Sequence, residues 1–304
     1  ESFLRDLISQ SFGLQVVDNV IGKILRTLME TRQQLSRSAL NLLMTCDLER
    51  CFSRIPGEIL RSGTLLFGYK GFIIKQLARE GFPVPTGFII TTEAFRCRTA
   101  LMVHSVLYEE YVQRVRQHVK RLEEATGCEF GNPENPLLLS VRSGAAISMP
   151  GMMDSFLNVG MTAEIAEGLA GRIGSPWAAW DSYRRFLQFW GMSLGIDRDE
   201  FDREIQGAKR KYSVPKKAQL PPARMKELAF RYAGLLADNG VKVVEEPFEQ
   251  LLRCIEMVMN SWNSDKAKVY RREMQIAEDW GTAVIVQNMV FGNLSIYSPD
   301  ESFW

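Results

Sequence analysis

The feature that most constrains the fold is a strand, loop and strand pattern near the middle of the chain. An apolar run at residues 136–141 predicts a buried strand that ends at Arg142. A loop of glycine, methionine and proline follows at 143–153, and a second short strand is predicted over Ser155–Val159. At the end of a buried strand, the Arg142 guanidinium is expected at the sheet's edge, where it can bind phosphate oxygens in pairs. A structural Arg–Asp ion pair is the alternative.

A second candidate is the glycine-flanked lysine in residues 68–71, Gly-Tyr-Lys-Gly. We expect a strand at 65–67, a glycine turn, and a helix at 72–79, so that Lys70 and free backbone N–H groups meet at one spot, as in phosphate-binding loops. The segment is not a Walker loop, because the required glycine before the Gly-Lys pair and the Ser or Thr after it are missing. A glycine turn with a surface lysine is the alternative.

The remaining patterns predict further helices and strands around these two segments. Apolar residues at three- and four-residue steps over 4–48 predict amphipathic helix, whose structural role as a core face is favoured over a catalytic one. A proline turn within 81–92 feeds a strand, and β-branched residues predict a last strand at 282–290. Helices are predicted over 94–124, 163–192 and 247–262, with Thr92 able to cap the first of them. These patterns predict a chain that mixes helices and strands.

Composition narrows the class of protein. Among 304 residues, 37 Lys and Arg balance 36 Asp and Glu, so no global field favours nucleic acid or an anionic membrane. No apolar run approaches the roughly 18 to 20 residues that span a bilayer, and the first residues lack a signal peptide's order, so a cytoplasmic protein is expected. Five scattered cysteines and two histidines indicate no disulfide framework, no zinc site and no histidine-based catalysis within this chain.

Several motifs resemble one family in their order along the chain. Ser-Val-Arg-Ser-Gly-Ala and Ser-Met-Pro-Gly-Met-Met-Asp-Ser, within 140–155, are similar to the ATP-binding domain of the pyruvate phosphate dikinase and phosphoenolpyruvate synthase family. The Met-Pro-Gly-Met-Met core favours the dikinase branch. The similarity extends over about 61–293, through further blocks at 70–71, 81–88, 181–186, 262–264, 279–284 and 292–293.

The resemblance implies an ATP-grasp-type fold, in which two α+β lobes hold ATP with Mg²⁺. It implies that Lys70 and Arg142 bind ATP phosphates, that Gly151 and Ser155 belong to a loop closing over them, and that Gln287 lies in the adenine-side hinge strand. It assigns no metal ligand and no catalytic residue on this chain. The block at 181–186, with Asp181, Arg184 and Arg185, we interpret mainly as a helix face with an ion-pair network. The implied domains are an N-terminal helical segment (1–60), a first lobe with phosphate-binding loops (61–160), a largely helical subdomain (161–260), and a hinge strand with an incomplete second lobe (261–304).

In that family ATP phosphorylates a histidine on a separate swivelling domain, and a barrel passes the group to pyruvate. The resemblance therefore implies these two partners elsewhere in a longer protein, and a homo-oligomer is possible. The chain departs from the family pattern at Tyr69, Phe72 and Ala146, and the glycine-rich strand expected after Asn293 does not follow. These departures keep open a non-catalytic module that senses nucleotide or binds a partner. A helical scaffold that associates through residues 4–48 is a third hypothesis.

Overall fold

The computed structural model describes residues 22–24, 26–27, 29–30, 47–57 and 63–290. The chain divides into two compact units, 1–47 and 48–304. In the first unit, the described residues between 22 and 30 are helical, as the amphipathic pattern predicts. The rest of the predicted helix at 4–48 lies almost wholly outside the described residues, as does the predicted start of the second lobe beyond residue 290.

The second unit is built on an antiparallel sheet, so the prediction of a mixed α+β fold is confirmed. The described residues form five strands in the order β1-β2-β5-β3-β4, and each neighbouring pair is antiparallel. The strands are β1 (Phe52–Ile55), β2 (Gly87–Ile90), β3 (Leu139–Gly144), β4 (Ser155–Val159) and β5 (Ala283–Asn288). β1 lies within the segment 1–60, where only helix was predicted.

Helices surround this sheet and fill the long connection between β4 and β5. Two short 3₁₀ turns, at Lys217–Gln219 and Glu278–Trp280, accompany them. The helices are α1 (Gly63–Arg79), α2 (Thr92–Val103), α3 (Ser105–Thr126), α4 (Ala163–Ile173), α5 (Pro176–Ser193), α6 (Arg198–Lys211), α7 (Pro222–Asp238), α8 (Pro247–Ser261) and α9 (Asp265–Glu273).

The strand register separates the sheet into two faces. Arg142 of β3 lies opposite Ile285 of β5 and opposite Ser155 of β4, and residues directly opposite one another share a face. Ile285 belongs to a buried core cluster with Leu66 and Phe67 of α1. We call this side of the sheet the α1 face; α1 and Arg142 are therefore on the same side.

The other face of the sheet carries Phe88 of β2. His118 of α3 stacks on Phe88 with ring centroids 4.9 Å apart and on Phe52 at 5.3 Å. Burial, and then nearby arginines led by Arg121, lower the pKa of His118 to about 4. This histidine is thus a neutral packing residue on the side of the sheet away from Arg142.

The predicted strand at 65–67 is wrong, because these residues form the first turn of α1. The predicted glycine turn is a kink within α1: Gly68 is not helical, with φ 70° and ψ 164°, and a second helical stretch follows it. Leu66 and Phe67 turn toward the sheet while Leu65 stays 53% exposed. Three apolar residues carry no periodicity that separates strand from helix, so the sequence could not distinguish the two.

Two long predicted helices are each divided in two. The helix predicted over 94–124 breaks at His104, and its N-cap is Thr91, not Thr92; the Thr91 side chain accepts a hydrogen bond from the Glu93 amide. The helix predicted over 163–192 ends at Gly174, which is left-handed, and restarts at Pro176. By contrast, the helix predicted over 247–262 matches α8 closely.

Candidate functional site

Gly68 brings the lysine-bearing helix α1 against the end of β3. The amide of Tyr69 donates to the Ala145 carbonyl at 2.9 Å. A Cβ atom at Gly68 would lie 1.8 Å from the Gly144 carbonyl oxygen, so only glycine allows this approach. The packing of α1 against β3 therefore explains why residue 68 is glycine, in addition to its predicted place in a phosphate-binding turn.

Lys70 and Arg142 are brought together on the α1 face. Both side chains are exposed. Close packing partly desolvates the Lys70 ammonium, and the Arg142 guanidinium repels it; both effects lower the pKa of Lys70. Within the described part of the chain, no carboxylate pairs with either residue. Two neighbouring cations without a counter-ion form a site suited to an anion.

Ser155 and Gly151 lie at different distances from these cations along the same hairpin. Ser155 is the direct cross-strand neighbour of Arg142. Gly151 is exposed in the loop that joins β3 to β4, with φ 73° and open space where a Cβ would stand. The Met152 amide donates to the Met149 carbonyl at 3.2 Å, so Pro150 and Gly151 occupy the central positions typical of a type II turn. We call residues 145–154 the hairpin loop.

Gln287 also lies on the α1 face, opposite Ser140 in β3 and Gly87 in β2. Its side chain is buried, and its amide nitrogen donates to the Pro85 carbonyl at 2.9 Å. In this arrangement the amide nitrogen of Gln287 has a partner within the protein. The place of this strand beside the base stays a prediction.

The hairpin loop contacts α8 and α9, which the sequence analysis did not connect with the site. The hydroxyl oxygen of Ser261, the last residue of α8, accepts a hydrogen bond from the Asp154 amide at 3.1 Å. The Lys266 ammonium of α9 lies 3.8 Å from an Asp154 carboxylate oxygen. The blocks around Trp262 were recognised in the sequence, but more than 100 residues separate Ser261 from Asp154, and no local pattern reveals such a contact.

The arginines of the 181–186 block form a different kind of cluster, away from this hairpin in sequence. The buried Asp181 carboxylate accepts from Arg184 Nε at 2.7 Å, from Arg185 Nε at 2.9 Å and from Lys217 Nζ at 2.8 Å. Burial alone would raise the pKa of Asp181, but Arg184, Lys217 and Arg185 together hold this pKa below its ordinary value. The interpretation of this block as an ion-pair network agrees with these contacts. Lys217 is a member that the sequence analysis missed.

Two features are absent from the described residues. No three His, Cys, Asp or Glu side chains among them are grouped so that they could hold a metal ion. Among the same residues, we find no helix with the length and apolar character needed to cross a membrane.

Comparison with known families places this geometry in context. Residues 97–298, about two thirds of the chain, match the family described as "Pyruvate phosphate dikinase, AMP/ATP-binding domain". The chain belongs to this family. Of the predicted site residues, Arg142, Gly151, Ser155 and Gln287 lie inside the matched region of this AMP/ATP-binding domain, and Lys70 lies before it.

Curated relatives carry the same family name. The chain is 39% identical over 231 residues to pyruvate, phosphate dikinase of Clostridium symbiosum, and 39% identical over 232 residues to the protein of that name from Giardia intestinalis; each match covers 75% of this chain and 26% of the relative. Pyruvate, phosphate dikinase 1, chloroplastic, of Arabidopsis thaliana is 39% identical over 231 residues, covering 75% of this chain and 24% of the relative. The chain thus spans about a quarter of the length of these dikinases.

Proposed function

We propose that this chain is the ATP-binding part of a dikinase-type phosphotransferase, with an ATP-grasp architecture, and that it holds the nucleotide's phosphates between Lys70 and Arg142. The observation that carries the proposal is the uncompensated pair of cations on the α1 face, in a chain that belongs to an AMP/ATP-binding family. The nearby Ser155 hydroxyl and the backbone of the hairpin loop add neutral donors around the same position.

The chemistry of ATP explains why this pair of side chains suits the role. Phosphoryl transfer depends mainly on alignment and on stabilising the charge of the phosphate oxygens, and needs no nucleophile from the nucleotide-binding domain. The Arg142 guanidinium can bind two oxygens at once, whereas the Lys70 ammonium acts as a point charge. An arriving polyphosphate would also remove the repulsion between the two cations.

We propose that Mg²⁺ binds together with ATP, through the phosphates of the nucleotide. Proteins commonly hold it with one or two carboxylates plus the phosphates of the substrate. No three His, Cys, Asp or Glu side chains of the described residues are grouped as a metal site, and a smaller set would be completed by the phosphates, so we assign Mg²⁺ no ligand among these residues.

The remaining steps need protein outside this chain. We propose that a histidine on a separate swivelling domain accepts the phosphoryl group and that a barrel domain passes it to pyruvate. The support is the family membership and the length of the relatives, of which this chain spans about a quarter. His118 lies among aromatic rings on the other side of the sheet, so it is not placed to accept a phosphoryl group from the α1 face.

A non-catalytic nucleotide-binding module is the second candidate. Tyr69 favours it, because its bulky side chain is 51% exposed directly beside Lys70, where it can crowd a phosphate chain. The two candidates agree on ATP binding and differ in transfer, which only the first predicts when a histidine-bearing domain is supplied.

Calorimetric titration with ATP and Mg²⁺ tests the proposal. Wild-type chain should bind ATP, and Lys70→Ala and Arg142→Ala should each weaken binding by about 1.5–3 kcal/mol, the range for hydrogen bonds to charged groups. Lys120→Ala is the matched control, since Lys120 is an exposed lysine of α3, which packs on the other face of the sheet. Equal affinity in all four proteins would remove Lys70 and Arg142 from the site.

A further inference from the structure

The hairpin loop is held at its far end by the corner between α8 and α9. At Asp154, just before β4, the amide nitrogen donates to Ser261 and the carboxylate faces Lys266. The Met153 sulfur lies 3.8 Å from the same Ser261 oxygen. Nearer the start of the loop, the Tyr270 hydroxyl of α9 lies 3.5 Å from the Ser148 carbonyl oxygen. Helix α9 therefore contacts the loop on both sides of its turn, and α8 contacts it after the turn.

The Ser261 hydroxyl is oriented for this role by a second bond. It donates its hydrogen to the Val258 carbonyl of its own helix at 2.7 Å, which leaves a lone pair to accept from the Asp154 amide. The residue is 6% exposed, so water competes little for that position. A hydroxyl used in both directions fixes the direction of the loop backbone where it enters β4.

The corner that carries Ser261 is itself tightly packed. Trp262 is 1% exposed, and its indole nitrogen donates to the Glu278 carbonyl at 3.1 Å. Arg271 of α9 is fully buried; its guanidinium donates to the Trp262 carbonyl and lies 4.2 Å over the Trp262 ring. A loop that is hydrogen-bonded to a buried, well-packed corner is held in position better than a loop that contacts only solvent.

We propose that Ser261 is a positioning residue for nucleotide phosphates, acting through the hairpin loop, with Lys266 and Tyr270 as weaker supports. The inference rests on the proposed function, because it takes the loop to lie over ATP. Fixing the backbone at Asp154 confines the loop's freedom to the turn at 149–152. Ser261 thereby determines where the exposed Gly151 stands relative to Arg142, three residues before the loop, and Ser155, the first residue after it.

Three variants separate positioning from general stability. Ser261→Ala removes the acceptor, and Ser261→Thr restores a hydroxyl at the same place. Ser264→Ala is the control, since the Ser264 side chain caps α9 by accepting from the Ala267 amide and has no bond to the loop. A purely structural effect would appear in the control as well, because removing a helix cap also destabilises the corner.

Two readouts are measured on each variant: amide hydrogen exchange of residues 145–154 without nucleotide, and the affinities for ATP and AMP. We expect Ser261→Ala to speed exchange at Asp154 and to weaken ATP binding about three- to tenfold, as one hydrogen bond allows. AMP binding should change less than twofold, because AMP lacks the β- and γ-phosphates that the loop would cover. Ser261→Thr should recover most of the ATP affinity, and Ser264→Ala should leave both the loop's exchange and the ATP affinity near wild type.

Unchanged exchange at Asp154 in Ser261→Ala, or an equal loss of affinity for ATP and AMP, would overturn the positioning role. If the wild-type chain bound neither nucleotide, the proposed function would fail instead, and the exchange at Asp154 would still decide whether Ser261 anchors the loop.

Discussion

Two clusters of basic side chains in this protein differ in whether the protein supplies their counter-charge. Arg184, Arg185 and Lys217 surround the buried Asp181 carboxylate. On the α1 face, the positive charges of Lys70 and Arg142 repel each other. No carboxylate of the described residues pairs with either side chain. The first cluster has its counter-charge within the fold, whereas the second has none among the described residues.

The comparison also shows that a lowered lysine pKa does not by itself identify a ligand site. Burial, and then Arg184, lower the pKa of Lys217, although Asp181 opposes them. Burial, and then Arg142, lower the pKa of Lys70 in the same direction. What distinguishes the two lysines is the carboxylate at 2.8 Å from Lys217.

Removing the central carboxylate should have the largest effect on stability. Asp181→Asn leaves three cations around a neutral group, and we expect it to lower the free energy of unfolding by about 3 kcal/mol or more, since breaking a buried pair leaves uncompensated charge. Urea denaturation monitored by tryptophan fluorescence measures this. Glu167→Gln is the control, because Glu167 forms an exposed ion pair with Lys226. Loss of this pair should lower the free energy of unfolding by less than about 1 kcal/mol.

The pH dependence of stability in wild type and Asp181→Asn gives a second test of this cluster. The pKa of Asp181 is lower in the folded than in the unfolded state, so its contribution to stability is present above about pH 4 and is lost as the pH falls further. The stability difference between wild type and Asp181→Asn should therefore shrink between about pH 5 and pH 3. A difference that stayed constant over this range would show that the carboxylate charge does not hold the cluster together.

Disrupting the approach of α1 to β3 should come next in size. Gly68→Ala places a methyl group against the Gly144 carbonyl and demands a positive φ, so we expect a loss of about 2 kcal/mol or more together with weaker ATP binding. Gly171→Ala is the matched change in α4, where the added Cβ meets open space. It should raise stability by about 0.5–1 kcal/mol, as expected for a helix interior. Thermal denaturation measures both variants. A Gly68→Ala variant as stable as wild type would contradict the assigned contact at Gly68.

The smallest expected effect on stability is at the open cluster. Lys70→Met removes an exposed cation that repels Arg142 and has no ion pair in the described structure, so the free energy of unfolding should stay within about 0.5 kcal/mol of wild type. Lys217→Met removes a partner of Asp181 and should cost more, by about 1–2 kcal/mol. Equal losses in the two variants, measured by the same urea denaturation, would erase the distinction between the clusters.

The sequence predicted the hairpin of the site well because its signals are local. A buried apolar run, an arginine, a glycine-rich loop and a second short strand appear at β3, Arg142, the hairpin loop and β4. The arrangement around α1 was less accessible: the close contact of Gly68 with Gly144 joins residues far apart in sequence. The same limit hid Ser261 and Lys217, whose partners lie 107 and 36 residues away.

Amine labelling of Lys70 tests the central claim most directly. With mass spectrometry as the readout, an acylating reagent at mildly alkaline pH should modify Lys70, because the lowered pKa leaves part of its amine neutral and nucleophilic. The exposed Lys120 is the internal reference. Arg142→Ala should slow this labelling by removing the repulsion. ATP with Mg²⁺ should protect Lys70 in the wild type while Lys120 continues to react. Labelling of Lys70 that is the same with and without saturating ATP would contradict the placement of phosphates between Lys70 and Arg142.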